Sequence, residues 1–443
     1  MTAETFDISE QLTEEQLRDI WPVLTDDERF EGFRLLPRAE AEGFFETLSS
    51  ADQFHILTAL PETDRRSWMR LLAPDDVVDL IQEAPEEQRE PLLGLLDPAT
   101  RKEAVALLAY NEDDAGGLMN PRYAQLRAQM KVDEAINYLR RQTTGREETL
   151  YYIYVLDPQQ RLVGVVSMRD LFRAKPEAHV EDVMETDLIT APEEMDQEDV
   201  SLLFAEHDLL AVPVVDDEGR MKGIVTVDDI VDVVQEEATE DMQKYGGMAA
   251  LDEPYLDLSI SRMIGKRVGW LAVLFIGELL TASVMRYFED YIARAVVLAF
   301  FVPLIIASGG NSGSQASTLV IRAMALGEVR LRDWWRVVRR ELMSGLGLGL
   351  VLGVLGFMRI VGWQWAFGIY GEHYVLIAWT VSITLAGVVL WGALAGAMLP
   401  FALQRLGFDP ASASAPFVAT LVDVSGLLIY FGAATILMSG TLL

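Results

Sequence analysis

A single carboxylate stands inside a segment whose other residues suit a lipid bilayer. The segment PFVATLVDVSGLLIYFG, residues 416–432, is almost entirely apolar and contains Asp423. An acid near the middle of a membrane helix costs about 2.5–3.5 kcal/mol on insertion scales, so it normally faces a water-filled path or a polar partner. Two roles are therefore open: Asp423 faces water, or it helps helices to pack, either held neutral or hydrogen-bonded to Thr420 or Ser425. Glu278, inside another apolar segment, leaves the same two roles open.

A Gly-rich stretch lies inside a further apolar segment. Its sequence PLIIASGGNSGSQAS, residues 303–317, combines Gly309, Gly310 and Gly313 with the polar Asn311. Small residues allow helices to pack closely. They also allow a helix to break and free its backbone carbonyls, which is tolerated at membrane depth only where protein covers the break or water fills the space beside it. We expect a broken helix that lines a pore.

The available donor atoms favour a hard cation. The chain has no cysteine, and its four histidines are scattered at positions 55, 179, 207 and 373. This composition excludes disulfides and thiolate metal sites, and it argues against a soft-metal cage. Oxygen ligands suit Mg²⁺, which keeps several of its waters, so one carboxylate per chain with backbone carbonyls could hold it in hydrated form. A two-fold dimer would bring two copies of Asp423 to one axis.

Five apolar segments of about 20 residues, the length that crosses about 30 Å of hydrocarbon, follow Arg262. With the N-terminus inside, the inner flanks hold ten Lys/Arg and the outer flanks three, which fits the positive-inside rule. The stretch VRLRDWWRVVRREL predicts a basic amphipathic helix on the inner membrane surface, with Trp334 and Trp335 at the level of the lipid head groups. The predicted spans are Val268–Phe288, Ala295–Leu319, Leu342–Gly362, Val375–Phe401 and Pro416–Met438.

The first 261 residues carry the acidity of the chain. Residues 262–443 contain 13 Lys/Arg and 9 Asp/Glu, which leaves 23 and 59 for residues 1–261, a net charge of −36. Such a charge argues against nucleic acid as a partner and favours cations. The N-terminus has neither a basic start nor an apolar run, so we expect no cleaved signal peptide and a cytoplasmic location for this part.

This acidic part predicts a helical domain followed by a duplicated α/β unit. Leu and Ile recur at three- and four-residue intervals between breaks such as ALPETD and LLAPDD, which predicts stacked short helices in a superhelix. YIYVLDPQQRLVGVVSMRDLF (152–172) then matches AVPVVDDEGRMKGIVTVDDIV (211–231) at a spacing of 59, with a strand, turn, strand and helix in each. The predicted domains are 1–122 (acidic helical N domain), 123–181 and 182–238 (α/β units), 239–261 (connecting helix) and 262–443 (five membrane helices).

The duplicated unit resembles a tandem pair of cystathionine-β-synthase (CBS) domains. In many such pairs a Gly-x-x-Ser/Thr-x-x-Asp signature places the carboxylate on an adenosine ribose. The resemblance maps it onto Ser167 and Asp170 in the first unit and onto Thr226 and Asp229 in the second. ATP is therefore one candidate ligand, and a purely structural pair without nucleotide is the alternative.

Nearly the whole chain resembles the MgtE family of magnesium channels. The motifs NEDDAGGLMNP, GIVTVDDIVDVV, PLIIASGGNSGSQASTLVIRA and PFVATLVDVSGLLIY carry the resemblance and occur in the family's order. It implies a homodimeric, Mg²⁺-selective channel for magnesium uptake across the cytoplasmic membrane, with a pore between the subunits lined by the second and fifth membrane helices. Mn²⁺ and Co²⁺ are further candidate ions.

The resemblance also implies the site residues. In the pore it assigns Asp423, the backbone carbonyl of Ala419, Asn311 in the adjoining Gly-rich stretch, and Asp409 near the cytoplasmic mouth. The segment from about Thr239 to Leu258 corresponds to the family's plug helix. The regulatory Mg²⁺ sites fall on Asp75, Asp79, Asp216, Glu218, Asp228 and Asp252.

Three positions depart from the family pattern. Tyr255 stands where the family has an acid after the plug, Ala415 stands where it has an Asn before the fifth span, and Glu278 has no counterpart. The first departure affects one sensor site, and the second affects one contact of the inner pore.

We expect intracellular Mg²⁺ to bridge the acidic surfaces and to select a closed state in which the plug helices press on the pore. The acids could instead form a merely solvated face. Two rival functions are a membrane-anchored sensor that transports nothing and a carrier that couples a solute to protons through Asp423 and Glu278. An enzyme is the least expected class, because no nucleophile, base and oxyanion arrangement or phosphate-binding loop is recognisable.

Overall fold

The computed structural model describes residues 13–142, 151–251, 255, 256, 258–439 and 441, with the side chain of residue 142 left aside. Within it the chain forms two compact units, residues 1–234 and 235–443. Of the predicted site residues, Asp252 lies outside the described residues.

The first unit begins with short helices whose starts are set by capping residues. Thr13 forms a capping box with Gln16, and Asp97 accepts hydrogen bonds from two backbone amides of its helix. The apolar faces of these helices share one core, as the three- and four-residue spacing predicted. The helices are α1 (Glu14–Ile20), α2 (Asp26–Leu35), α3 (Arg38–Glu46), α4 (Ser50–Ala59), α5 (Glu62–Trp68), α6 (Pro74–Glu83), α7 (Glu86–Leu93), α8 (Pro98–Leu107) and α9 (Ala115–Leu118).

Two three-stranded sheets with the same strand order follow. In each sheet the first strand pairs in parallel with the second, which pairs antiparallel with the third. Val155 opposite Gly164 in one sheet matches Val214 opposite Gly223 in the other, so the predicted duplication is confirmed. The elements are β1 (Gln125–Leu126), α10 (Val132–Gln142), β2 (Tyr152–Leu156), β3 (Leu162–Ser167), α11 (Met168–Arg173), β4 (Ala191–Pro192), α12 (Gln197–His207), β5 (Ala211–Val215) and β6 (Met221–Thr226).

One helix, α13 (Val227–Tyr245), starts directly after β6 and extends past residue 234 into the second unit. In the segment expected to form a plug helix from about residue 239 to 258, α13 ends at Tyr245, and the described residues that follow it are not helical. The helix stops there because Gly246 and Gly247 follow, and Gly247 has a φ of +75°, a left-handed conformation that glycine adopts without strain.

The second unit contains five helices that are long and apolar enough to cross a membrane, and each overlaps one of the five predicted spans. The second of them, Val296–Ala325, begins with a 3₁₀ segment, Val296–Phe301, and is α-helical from Val302. The basic stretch expected to form a separate surface helix is instead the start of the third of these helices, because no residue interrupts its helical backbone after Trp334. The helices are α14 (Ile260–Tyr287), α15 (Glu289–Arg294, a short one), α16 (Val302–Ala325), α17 (Trp334–Phe367), α18 (Tyr374–Arg405) and α19 (Ala415–Met438).

Glycines bring α16 into backbone contact with α18. A Cβ placed on Gly392 or Gly396 of α18 would overlap the carbonyl oxygen of Gly309 or Gly313 of α16. The expected break in the Gly-rich stretch is therefore wrong, since α16 is continuous from Val302 to Ala325. These glycines permit close packing, while an unbroken helix satisfies the backbone hydrogen bonds that lipid cannot.

Candidate functional site

Asp423 lies on the side of α19 that approaches α16. Ser414 caps the start of α19 by accepting a hydrogen bond from the amide of Phe417. Ala419 and Asp423 are four residues apart and share one face of the helix. A Cβ placed on Gly310 of α16 would lie 3.4 Å from Cβ of Ala419 and 3.9 Å from Oδ1 of Asp423. Two of the residues predicted for the pore therefore lie against the same glycine.

Asn311 follows that glycine on α16. Its side chain is exposed, whereas the next residue, Ser312, is buried and donates its hydroxyl to the carbonyl oxygen of Val389 on α18 at 3.1 Å. Within this unit α16 thus packs Ser312 on α18 and leaves Asn311 at the surface, one residue from the position that contacts Asp423.

Glu278 on α14 lies beside Asp423, and the two carboxyl groups interact. Helices α14 and α19 approach closely at this level, because a Cβ on Gly277 would overlap the methyl group of Thr420. Two adjacent carboxylates in a medium of low dielectric repel each other unless a proton or a cation lies between them. Its place inside an apolar segment had already singled out Glu278, but its contact with Asp423 is visible only in the fold.

The hydroxyls of Thr420 and Ser425, the two hydrogen-bond partners considered for Asp423, bond to other atoms. The hydroxyl of Thr420 donates to the carbonyl oxygen of Pro416 at 3.0 Å, and the hydroxyl of Ser425 donates to that of Leu421 at 2.7 Å. The Ser425 hydroxyl also accepts a hydrogen bond from Nε1 of Trp391 on α18 at 2.7 Å, so both hydroxyls have partners other than the carboxylate. Helix packing through these two hydroxyls therefore does not involve the carboxyl group of Asp423, which contacts Glu278 of α14 instead.

Asp409 precedes α19 and is held in an ion pair. Its Oδ1 accepts from the amide of Ala411 at 2.7 Å, and its Oδ2 lies 2.7 Å from Nζ of Lys244 in the last turn of α13. Burial opposes the charged form of Lys244, but hydrogen bonds to Asp409 and Glu240 outweigh it and raise the lysine's pKa. The adjacent Tyr245 donates its hydroxyl to the carbonyl oxygen of Ser314 on α16 at 3.0 Å. The end of α13 is thus fastened to the residues around the predicted pore mouth.

A first group of predicted regulatory acids lies on α6 and at the start of α13. Asp75 is buried and accepts a hydrogen bond from Nδ2 of Asn120 at 3.1 Å, and Asp79 is exposed one turn further along α6. Between them, Asp76 interacts with Asp228 of α13. Burial raises the pKa of Asp76, the backbone of Ala73 opposes the rise, and the charges of Asp228 and Glu46 add to it. The neighbouring acids therefore make ionisation of Asp76 less favourable.

A second group lies on the hairpin between β5 and β6. Asp216 accepts from Nε of Arg220 at 2.8 Å and lies 3.3 Å from Nζ of Lys222, while Glu218 lies 2.7 Å from Nη2 of Arg220. Burial acts against ionisation of Asp216, but the hydrogen bonds from Arg220 and Lys222 lower its pKa to about 2. These carboxylates are paired with the basic side chains of Arg220 and Lys222.

The four residues of the nucleotide signature cap helices. Asp170 and Ser167 hydrogen-bond each other at the start of α11, and Oγ1 of Thr226 donates to Oδ2 of Asp229 at 2.7 Å at the start of α13. Burial raises the pKa of Asp229 to about 6, against the hydrogen bond from Thr226. A ribose would have to bind beside these capping bonds. Among the described residues of one chain, no three His, Asp or Glu side chains converge into a metal cage.

Comparison with known proteins gives one consistent family. Residues 12–113 match the MgtE intracellular N domain, residues 115–177 and 180–236 match the CBS domain, and residues 302–433 match MgtE, a divalent cation transporter. A magnesium transporter MgtE from Thermus thermophilus is 44% identical over 343 residues, which cover 77% of this chain and 74% of that protein. One from Bacillus subtilis is 36% identical over 338 residues, covering 76% and 72%.

Among solved structures, the cytosolic domain of the Mg²⁺ channel MgtE in complex with ATP is similar to the N-terminal part of this chain. It is 41% identical, with a TM-score of 0.47, and the match covers 51% of this chain and 91% of that chain.

Proposed function

This chain belongs to the MgtE family of divalent cation transporters, and from that membership we propose that it is a homodimeric Mg²⁺ channel closed by intracellular Mg²⁺. Proteins of this family are magnesium transporters and not enzymes. The chain is accordingly a multi-pass protein of the cytoplasmic membrane, with its N-terminal domains in the cytoplasm. The dimer, the channel mechanism and the gate are the proposed part.

The position of Asp423 is the observation that carries the pore proposal. Its carboxylate lies against Gly310 of α16 and next to Glu278, while the nearby hydroxyls bond elsewhere. In a two-fold dimer, two copies of Asp423 with the carbonyl of Ala419 and the amide of Asn311 would surround a hydrated Mg²⁺. Asp409 would be the acid at the cytoplasmic mouth.

The two acidic groups of the first unit support different roles in the gate. Around Asp76 and Asp228 the carboxylates repel one another, so a divalent cation bound there would relieve the repulsion and draw α6 and α13 together. The group at Asp216 already has Arg220 and Lys222 as counter-charges. We therefore propose that Mg²⁺ binds first at the α6–α13 group, and that this binding shifts the population towards a closed state with the end of α13 held at the pore mouth.

Flux measurements in proteoliposomes test both parts. Uptake of Mg²⁺ should fall when internal Mg²⁺ is raised from micromolar to millimolar concentration, and equal uptake would exclude the gate. Asp423→Ala should abolish uptake and leave the dimer intact by cross-linking, whereas Asp290→Ala, at an exposed acid of α15, should not change uptake. Uptake at the unsubstituted level in Asp423→Ala would contradict the pore assignment.

The same measurements separate the rival functions. A sensor that transports nothing gives no Mg²⁺ flux in the purified system. A proton-coupled carrier gives saturable uptake that follows an imposed pH gradient.

We also propose ATP as a ligand of the CBS pair, on the strength of the signature residues alone. Calorimetric titration of the full chain with ATP should give binding that Asp170→Asn or Asp229→Asn weakens, according to which half holds the ribose. Absence of binding by the unsubstituted protein would leave both aspartates with the capping role that their hydrogen bonds already show.

A further inference from the structure

The inner end of α17 carries a cluster of arginines that neither the cation path nor the gate employs. The stretch from Gly327 to Glu341 contains five arginines against three acids. Asp333 binds one of them, since its Oδ1 accepts from Nη1 of Arg336 at 3.1 Å. In the part of the chain that the structure describes, Arg332, Arg339 and Arg340 have no acidic partner. The arginines are Arg330, Arg332, Arg336, Arg339 and Arg340.

The orientation of this stretch is set by Val337, which packs against the apolar cluster between α16 and α18. The other side of the helix points away from the unit. There Trp334 and Trp335 are 51% and 61% exposed, and the side chain of Arg336 is 86% exposed. Exposed tryptophans at the end of a membrane helix are typical of the level of the lipid head groups.

The same face of α17 changes from basic to apolar along its length. Arg336, Arg339 and Arg340 are followed at helical spacing by Met343 and Leu346, which are also exposed. Along this face, guanidinium groups come first and exposed hydrocarbon side chains follow. This order matches the phosphate and then the acyl chains of a phospholipid. A soluble phosphate compound or a nucleic acid would gain nothing from the apolar half.

A hollow beside this face is large enough for a head group. It has a volume of about 730 Å³ and opens widely to the surface. Gly327, with a φ of +67°, turns the chain at its edge. Asp333 fixes its wall by accepting from the amide of Arg330 at 3.3 Å. Its lining residues are Gly327, Glu328, Arg330, Arg332, Asp333, Trp335 and Arg336.

We propose that this arginine surface, residues 330–340, binds the phosphate of an anionic phospholipid of the inner leaflet. Guanidinium groups bind phosphate oxygens in a bidentate manner, and the excess of arginine over acid selects an anionic over a zwitterionic lipid. Clusters of four to eight basic residues next to a membrane helix on its cytoplasmic side are the general pattern for such binding. The proposal is independent of the pore and gate assignments.

Native mass spectrometry of the full-length protein, titrated separately with phosphatidylglycerol and phosphatidylcholine of identical acyl chains, tests the proposal. Phosphatidylglycerol should bind at least fivefold more tightly. The triple variant Arg336→Gln/Arg339→Gln/Arg340→Gln should bind phosphatidylglycerol at least tenfold more weakly. Each arginine near an anionic membrane surface strengthens binding roughly fivefold. The control Arg286→Gln/Arg294→Gln, at two exposed arginines of the outer flank, should bind like the unsubstituted protein.

The double variant Arg339→Lys/Arg340→Lys separates the effect of positive charge from that of guanidinium geometry. It keeps the charge that orients the helix, and its affinity for phosphatidylglycerol should fall only twofold to fivefold. Equal binding of the two lipids by the unsubstituted protein overturns the proposal without reliance on any variant. Undiminished phosphatidylglycerol binding by the triple variant overturns it as well. Displacement of the lipid by millimolar inorganic phosphate would show a site for free phosphate and would overturn the lipid assignment.

Discussion

Lys244 provides a test of how the end of α13 controls the pore mouth. Its Nζ lies 2.7 Å from Oδ2 of Asp409, and the two side chains are 27% and 34% exposed. Exposed ion pairs contribute about 0.2–1 kcal/mol, whereas breaking a buried pair costs about 3–5 kcal/mol. For a pair between these limits we expect Lys244→Met to weaken docking of α13 by about 1–2 kcal/mol, or about 5–30-fold in the docked population ratio.

This loss should appear as incomplete closure by internal Mg²⁺. For a closed-to-open ratio of about 99 to 1, a tenfold change raises the open fraction from about 1% to about 9%. Influx of Mg²⁺ into proteoliposomes loaded with millimolar Mg²⁺ should therefore be several times higher for Lys244→Met. At low internal Mg²⁺ the two proteins should be equal, because the channel is then already open.

Two further variants control this experiment. Lys244→Arg keeps the charge and should retain most of the closure, and Lys102→Met, at an exposed lysine of α8, should behave like the unsubstituted protein. Undiminished inhibition by internal Mg²⁺ in Lys244→Met would refute a closing role for the contact. Reduced influx under both conditions would refute it too, since Lys244 would then be needed in the open state.

Three further predictions concern packing, pH and the acidic surfaces. Gly392→Ala should lower the free energy of unfolding of the purified protein by about 1–3 kcal/mol, because the added Cβ would overlap the α16 backbone. The control Gly347→Ala has open space around its Cβ and should not lower this free energy. Burial raises the pKa of Asp229 to about 6, so its ionised form opposes folding, and the free energy of unfolding should fall as the pH rises from about 4 to about 6. Asp229→Asn should remove this pH dependence and add about 1–2 kcal/mol to the free energy of unfolding near neutral pH. Asp76→Asn should raise roughly fivefold the Mg²⁺ concentration that protects the first unit from protease, and Asp27→Asn, at an exposed acid of α2, should not.

The elements that the sequence predicted well are those set by local pattern. Alternating strands at a spacing of 59 and five long apolar segments are properties of short windows, and both are found in the structure. The prediction of a broken helix at Gly309 was wrong because a glycine in the sequence does not show whether it breaks a helix or allows a neighbouring helix to pack closely. Only the approach of Gly392, more than 80 residues later in the chain, shows that the Gly-rich stretch is a packing surface.

The candidate pore shows the same limit at the level of one side chain. The position of Asp423 was predictable because an acid in an apolar helix is unfavourable wherever it lies, so its presence alone indicates a function. The same argument singles out Glu278, but its contact with Asp423 was not predictable, because it joins α14 to α19 across 145 residues of chain. Together they place two carboxyl groups side by side among apolar helices, where a shared proton or a cation relieves their repulsion. Packing therefore turns one unexplained acid into a pair of acids whose joint role the Asp423→Ala flux measurement tests.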